Sequence, residues 1–174
     1  EKHKQHAKDE LGTLRNQLLS MEMKLEEQEQ YMRRDNLLFF GVEETDGENT
    51  TQKVIDICHQ HFPAVKLSHS DISISHRLPA KNNRTKSIIV RFARREPRQQ
   101  IFQQKKNLKG TKITVAEHLT SKRTKLMMNA AGLAKDGKIV AAWSRDGRVM
   151  IRLHDTTVNE ITCDSDLEVF TRRY

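Results

Sequence analysis

Ala7, Leu11, Leu14, Leu18, Met21, Leu25, Gln28 and Met32 recur at spacings of four and three, the period of a coiled-coil seam. With Leu11, Leu18, Leu25 and Met32 at a, the d positions are Ala7, Leu14, Met21 and Gln28. The remaining positions are mostly Glu, Lys, Gln and Asn, so the apolar stripe is narrow. A helix docked on its own domain would carry a wider one. Residues 1–34 are therefore predicted to be an oligomerising helix whose contacts are Leu11, Leu14, Leu18, Met21, Leu25, Gln28 and Met32. Gly12 weakens this helix by about 1 kcal/mol, and Gln28 interrupts the seam. The coil is marginal alone, and further heptads are expected upstream of Glu1. Leu and Met at a and d leave the number of strands open.

Composition narrows the rest. The chain has 174 residues, 31% of them charged and 36% hydrophobic. No uncharged run approaches the roughly 18–20 residues of a spanning helix, so no membrane segment is expected. The first stretch is charged throughout, unlike a signal peptide. Two cysteines, Cys58 and Cys163, suit a reducing compartment rather than a disulfide scaffold. The net charge of +8 is unevenly spread. Residues 35–76 hold two Lys/Arg and seven Asp/Glu, whereas residues 77–125 hold fifteen and two, a local net of +13. Only Glu96 and Glu117 interrupt that band. Such a field gathers polyanions, nucleic acid foremost. An acidic protein or an anionic membrane surface would exploit the same field.

The middle of the chain alternates strand and helix. Asn36–Val42 reads as a buried strand ended by Gly41, and the acidic loop Glu43–Asn49 follows. Thr50 or Thr51 caps a helix to about Phe62, stopped by Pro63. Ile72–Leu78 and Ser87–Phe92 alternate with period two. Arg94–Asn107 is predicted helical, Lys109-Gly110 a turn, and Lys112–Ala116 a fourth strand. The order β-α-β-β-α-β over residues 35–116 matches the split βαβ arrangement of RNA-recognition modules. Alternation from Ile72 and Ile74 inward puts Ser73, Ser75 and Arg77 on the open face. Ile88, Val90 and Phe92 inward puts Ser87, Ile89 and Arg91 there too, with Leu38 and Phe40 from the first strand. Arg84 and Lys86 lie in the loop between these strands. Arg94, Arg95 and Arg98 open the second helix, and Lys105 follows. Guanidinium groups hold phosphates bidentately and stack on bases. Ser87 and Ile89 stand where such modules carry stacking rings, so binding is expected to rest on backbone electrostatics with weak sequence preference.

Residues 117–174 read as a small α+β domain. Thr120 or Ser121 caps a helix to Lys135, with Lys122, Arg123 and Lys125 in its first turn. Cations there oppose the helix dipole, an arrangement that a bound anion relieves. Ile139–Trp143 and Arg148–Leu153 form a hairpin around Ser144-Arg-Asp-Gly147. Ser165-x-x-Glu168 has the pattern of a capping box opening a last helix. Trp143 is either a base-stacking residue or part of the core.

Arg33-Arg34-Asp35-Asn36-Leu37 followed by Phe39-Phe40-Gly41-Val42-Glu43 resembles the RRxNLxxxGxxE start found in first-open-reading-frame proteins of LINE-type non-LTR retrotransposons. Ser75–Pro79, Ser87–Phe92, Leu108–Gly110, Ile113–Val115 and Leu119–Arg123 continue the resemblance in order, as does the closing hairpin. The resemblance implies a coiled-coil homotrimer with an RNA-recognition-like domain and a C-terminal domain that clamp single-stranded RNA, and single-stranded DNA as well. It implies a nucleic-acid chaperone that coats the element's RNA in a cytoplasmic ribonucleoprotein particle able to enter the nucleus, with no cofactor. Contacts carried over are Arg33, Arg34, Asn36, Arg77, Arg84, Arg98, Arg123 and Trp143. Leu38 stands where mammalian members have a basic residue. Lys24-Leu25-Glu26-Glu27-Gln28-Glu29 is similar to the family's trimer motif, with Gln28 in an apolar place.

Two other readings compete. Cys58-His59-Gln60-His61 has the composition of a metal or nucleophile cluster, but on a helix these side chains fan to different faces and Cys58 falls on the apolar stripe. No phosphate-cradling Gly-rich loop or HExxH run is present, so no enzyme is expected. A coiled-coil adaptor whose basic domain docks an acidic protein is the stronger rival. Steep salt dependence and a preference for longer strands distinguish a nucleic-acid coat from it.

Overall fold

A computed structural model describes residues 2–80 and 85–172. The first helix, α1 (Lys2–Met32), is unbroken over 31 residues, about 46 Å at 1.5 Å per residue. In the single chain Leu11, Leu14, Leu18, Met21, Leu25 and Met32 are 57–75% exposed. The seam is therefore an uncovered apolar stripe.

Beyond α1 the order is β1 (Asn36–Phe40), α2 (Thr50–His61), β2 (Ile72–Arg77), β3 (Ile88–Phe92), α3 (Arg95–Gln103) and β4 (Thr114–Glu117). The four strands form one sheet in the order β2-β3-β1-β4, every neighbouring pair antiparallel. Alternation sends Leu37 and Phe39, and Ile88, Val90 and Phe92, to the helix side. There they meet Val54, Ile55 and Cys58 of α2 and Ile101 of α3. Each such large side chain contributes about 1.5–3 kcal/mol through burial. Gly41 ends β1 at φ +74°, where a Cβ would lie 1.9 Å from the Lys112 carbonyl oxygen. The helix α2 is capped ahead of both threonines, by Asn49, whose side chain accepts the Gln52 N–H at 3.0 Å. The second predicted helix ends at Gln103, and Lys105–Leu108 tightens into a 3₁₀ turn that buries Leu108.

One strand departs from simple alternation. The β2–β3 register shifts between Ile72 and Ile74, the mark of a bulge. Ile72 is buried, but Ile74 is 56% exposed. Ser75 and Arg77 consequently turn to the helix side, and the Ser75 hydroxyl bonds those of Thr50 and Thr51 at 2.7 Å each. The expectation that Arg77 shares the open face with Arg91 is thus corrected. An inserted residue inverts the pattern that period two assumes.

The C-terminal segment comprises α4 (Ser121–Lys135), β5 (Ala141–Arg145), β6 (Arg148–Arg152), β7 (Val158–Ile161) and α5 (Asp164–Thr171), with sheet order β5-β6-β7. Its core, including Leu126, Ala130, Val149, Ile151 and Ile161, is separate from the first. The β5–β6 connection is Asp146-Gly147, both at positive φ (51° and 76°), as a type I′ hairpin requires. The third strand, β7, is a finding of the structure, since four residues give too short a pattern to read. The last helix is capped by Cys163 and not from Ser165. Asp166 at the third helical position reaches back to the Cys163 N–H at 3.2 Å and the Thr162 N–H at 2.7 Å.

Candidate nucleic-acid interface

Three segments meet where α1 ends. Gln30, almost fully buried, donates from Nε2 to the His118 carbonyl oxygen at 3.1 Å and accepts the Thr120 N–H at 3.0 Å through Oε1. Glu26 accepts from the Thr120 hydroxyl at 2.5 Å and from Arg123 Nε at 3.1 Å. Gly147 packs on Gln30 so closely that a Cβ would lie 2.8 Å from Gln30 Cγ. Its carbonyl oxygen accepts from Arg123 Nη1 at 2.8 Å, and its N–H donates to Glu117 Oε2 at 3.1 Å. The end of α1, the β4–α4 link and the β5–β6 turn are thereby tied together.

His118 sits inside this joint. Arg33 Nη1 donates to the Leu119 carbonyl oxygen at 2.9 Å and faces His118 Nε2 at 3.0 Å. A guanidinium only donates, so Nε2 accepts and the ring proton is on Nδ1. Asn36 Nδ2 lies 3.0 Å from that Nδ1, while Asn36 Oδ1 is buried without a hydrogen-bond partner. Turning the amide over lets Oδ1 accept from Nδ1–H and satisfies both groups. Burial, and then the Arg33 charge, hold the His118 pKa below its ordinary 6.5.

Several residues expected to grip phosphate have partners within the chain. Arg77 donates to both Glu48 oxygens at 2.6 and 3.0 Å and to the carbonyls of Val42, Glu43 and Lys86. Bonds from Arg77 and then Lys53 hold the Glu48 carboxyl far below the ordinary carboxylate range. Arg98 is buried and paired with Glu117 at 3.0 Å. The α3 helix turns it into the space between β4 and the β5–β6 turn, where its partner is Glu117. Arg94 precedes α3 and binds Asp71 at 2.5 Å, Lys86 lies 3.5 Å from Glu44, and Arg33 and Asn36 belong to the joint. Arg123, at the start of α4, is held by Glu26, Glu27 and Gly147. Arg84 lies outside the described residues.

The open face of the four-stranded sheet carries Asn36, Leu38 and Phe40 from β1, Ile89 and Arg91 from β3, Ile74 and His76 from β2, and Ala116 from β4. Arg91 is exposed there amid mostly apolar side chains. Lys122 and Lys125 are exposed on α4. The Lys105 ammonium lies 4.0 Å from the Phe102 ring centroid, and burial lowers its pKa. Trp143 pairs across the hairpin with Met150, half-buried and outside the C-terminal core, with Arg152 5.5 Å from its ring centroid.

A cleft of about 580 Å³ opens at the joint. Tyr31, Arg34, Arg95, Arg123 and Arg148 line it, so all three segments contribute arginine. Tyr31 and Arg148 were not singled out by sequence, nor were Arg145 and Arg152. The pairings put Arg145, Arg148 and Arg152 on the Trp143 side of the small sheet. The Arg-x-Met-x-Arg alternation in β6 carries this signal, but neutral overall charge in residues 126–174 conceals it. Cys58 of the Cys-His-Gln-His run is buried, and burial pushes its thiol up to about 12. His59 lies 2.9 Å from the Leu67 carbonyl oxygen.

The chain is α+β, with a long N-terminal helix and two antiparallel sheets. Among the described residues no helix is long and apolar enough to cross a membrane. No family model matches the sequence, and none of the curated proteins compared with it matches significantly.

Proposed function

We propose that this chain is a single-stranded nucleic-acid-binding protein that coats RNA as a coiled-coil homotrimer and remodels it as a chaperone. This is the role implied by its resemblance to the first-open-reading-frame proteins of LINE-type retrotransposons. The observation that carries the reading is the cleft at the joint, where Arg34, Arg95, Arg123 and Arg148 converge from four segments of the chain. A groove of guanidinium groups with an aromatic ring at its edge is the arrangement that tracks single strands. The strand order β2-β3-β1-β4 supports an RNA-recognition-like unit, and the uncovered seam of α1 supports self-association. The mostly apolar open sheet face favours backbone grip over base readout. A ribonucleoprotein particle in the cytoplasm, with access to the nucleus, belongs to the same reading.

A salt-titrated binding series on single-stranded RNA, single-stranded DNA and duplex tests this, with light scattering on the same preparations. The expected result is tighter binding to longer single strands, affinity falling steeply with salt, and three chains per particle. Length-independent binding, or a stable dimer, contradicts it and favours the adaptor.

A further inference from the structure

Arg34 and Tyr31 are the closest cation–ring pair described here. The Arg34 guanidinium carbon lies 3.6 Å from the Tyr31 ring centroid, face on. Both line the cleft, and Tyr31 is 64% exposed, so the pair is not a buried packing contact. Asp35 places a carboxylate between two of the cleft arginines. Its Oδ1, buried and without a hydrogen-bond partner, lies 3.7 Å from Arg34 Nε and 3.8 Å from Arg95 Nε, within ion-pair range of both but beyond hydrogen bonding. Arg148, exposed, also lines the cleft, with Glu160 3.3 Å from its Nη1. A guanidinium seated on a ring face is oriented by that ring. It presents a flat, charged second face, which is a stacking surface more than a phosphate fork.

We propose that Tyr31 and Arg34 form a base-stacking platform, with one unpaired base of a single strand lying on the outer face of Arg34 and its flanking phosphates held by Arg95 and Arg148. The proposal rests on the nucleic-acid reading above and deepens it: it assigns Arg34 to a base and adds Tyr31 and Arg148 to the site. The platform is sequence-tolerant, since every base offers a π-face. It gives the chain an aromatic element that its open sheet face lacks at Ser87 and Ile89. Tyr31 directly precedes the last a position, Met32, so the platform joins the last turn of α1 to the turn that follows it.

The test is Arg34→Lys, which keeps the charge and removes the plane. Binding of the full chain is measured with oligo(dT) and with an abasic deoxyribose-phosphate oligomer of equal length, across a salt series. The expected result is a loss of about tenfold on oligo(dT), the size of one base–aromatic stack. The abasic strand should bind the variant and the parent alike, with the slope of affinity against salt unchanged. Tyr31→Phe should retain binding and Tyr31→Ala should reproduce the loss. Unchanged oligo(dT) binding by Arg34→Lys, or an equal loss on the abasic strand, would overturn the platform and return Arg34 to phosphate contact. If the parent chain binds neither strand, the nucleic-acid reading itself fails, and the platform with it. Thermal melting of each variant alongside the parent confirms that the comparison is between folded proteins.

Discussion

Arg98 and Glu117 meet at 3.0 Å with 4% and 1% of their side chains exposed, and the second Glu117 oxygen accepts the Gly147 N–H at 3.1 Å. One buried carboxylate therefore joins α3 of the first unit to the β5–β6 turn of the second. Removing one partner of such a pair strands a charge where water cannot reach it. Glu117→Ala is expected to lower stability by about 3–5 kcal/mol. Arg98→Met combined with Glu117→Gln should recover much of that, because no uncompensated charge remains. Urea unfolding followed by fluorescence of Trp143, the chain's one tryptophan, measures both. A single variant as stable as the parent would remove the pair from this role.

Gly147 is required at the joint on two counts. It sits at φ +76°, and an added Cβ would press on Gln30 at 2.8–3.0 Å. Gly147→Ala should destabilise by about 1–3 kcal/mol from backbone strain alone. Gln30→Ala alone relieves the crowding but orphans the Thr120 N–H. The pair should therefore be non-additive in thermal melts, since the two residues touch.

Glu27 holds Arg123 from the rim of the cleft, with 75% of its side chain exposed, whereas Glu26 is mostly covered. A phosphate entering the cleft has to compete with the rim carboxylate. Glu27→Gln is expected to tighten single-stranded RNA binding two- to fivefold, the scale of an exposed ion pair. Glu26→Gln should instead reduce stability through the Thr120 hydroxyl and Arg123. Equal affinity of Glu27→Gln and the parent at low salt would show that Arg123 does not meet the strand.

Stability should fall with pH in two windows. His118 is held below 6.5 by burial and by Arg33, so the unfolded chain takes up that proton first. Its contribution is complete above pH 6.5 and declines below it, with a slope of up to about 1.4 kcal/mol per pH unit. Glu48 is held below its ordinary 4.5 by Arg77 and Lys53, so its contribution is complete above pH 4.5 and is lost as pH drops further. Urea midpoints measured across this range should show both declines. His118→Gln should flatten the upper one and leave the lower in place.

Much of the architecture is legible in the residue order. The heptad spacing from Ala7 to Met32 marks α1, because a 3.5-residue repeat suits no other element. A dense apolar run ended by Gly41 marks β1, and alternation marks β3, since a strand with one buried face must repeat every second residue. Thr120 marks the start of α4 through its side-chain cap. Where local signals run short, the reading drifts. The bulge after Ile72 leaves no trace in composition, and β7 has four residues. At α5 the carboxylate at the third helical position belongs to a box opened by Cys163, whose backbone makes the bond.

The division of labour among the arginines follows the same line. The sequence by itself determines that residues 77–125 carry a net +13 and residues 35–76 a net −5. It cannot determine which cations meet which anions, because Glu48 and Arg77 are 29 positions apart, and Glu26 and Arg123 are 97 apart. Ion pairing depends on distance in space, and chain topology alone sets that distance. Folding couples Arg77, Arg94, Arg98 and Arg123 to carboxylates from other segments. It gathers Arg34, Arg95 and Arg148 around Tyr31 at the joint, so a cleft of defined shape joins one arginine of the basic band to two from segments that are neutral overall.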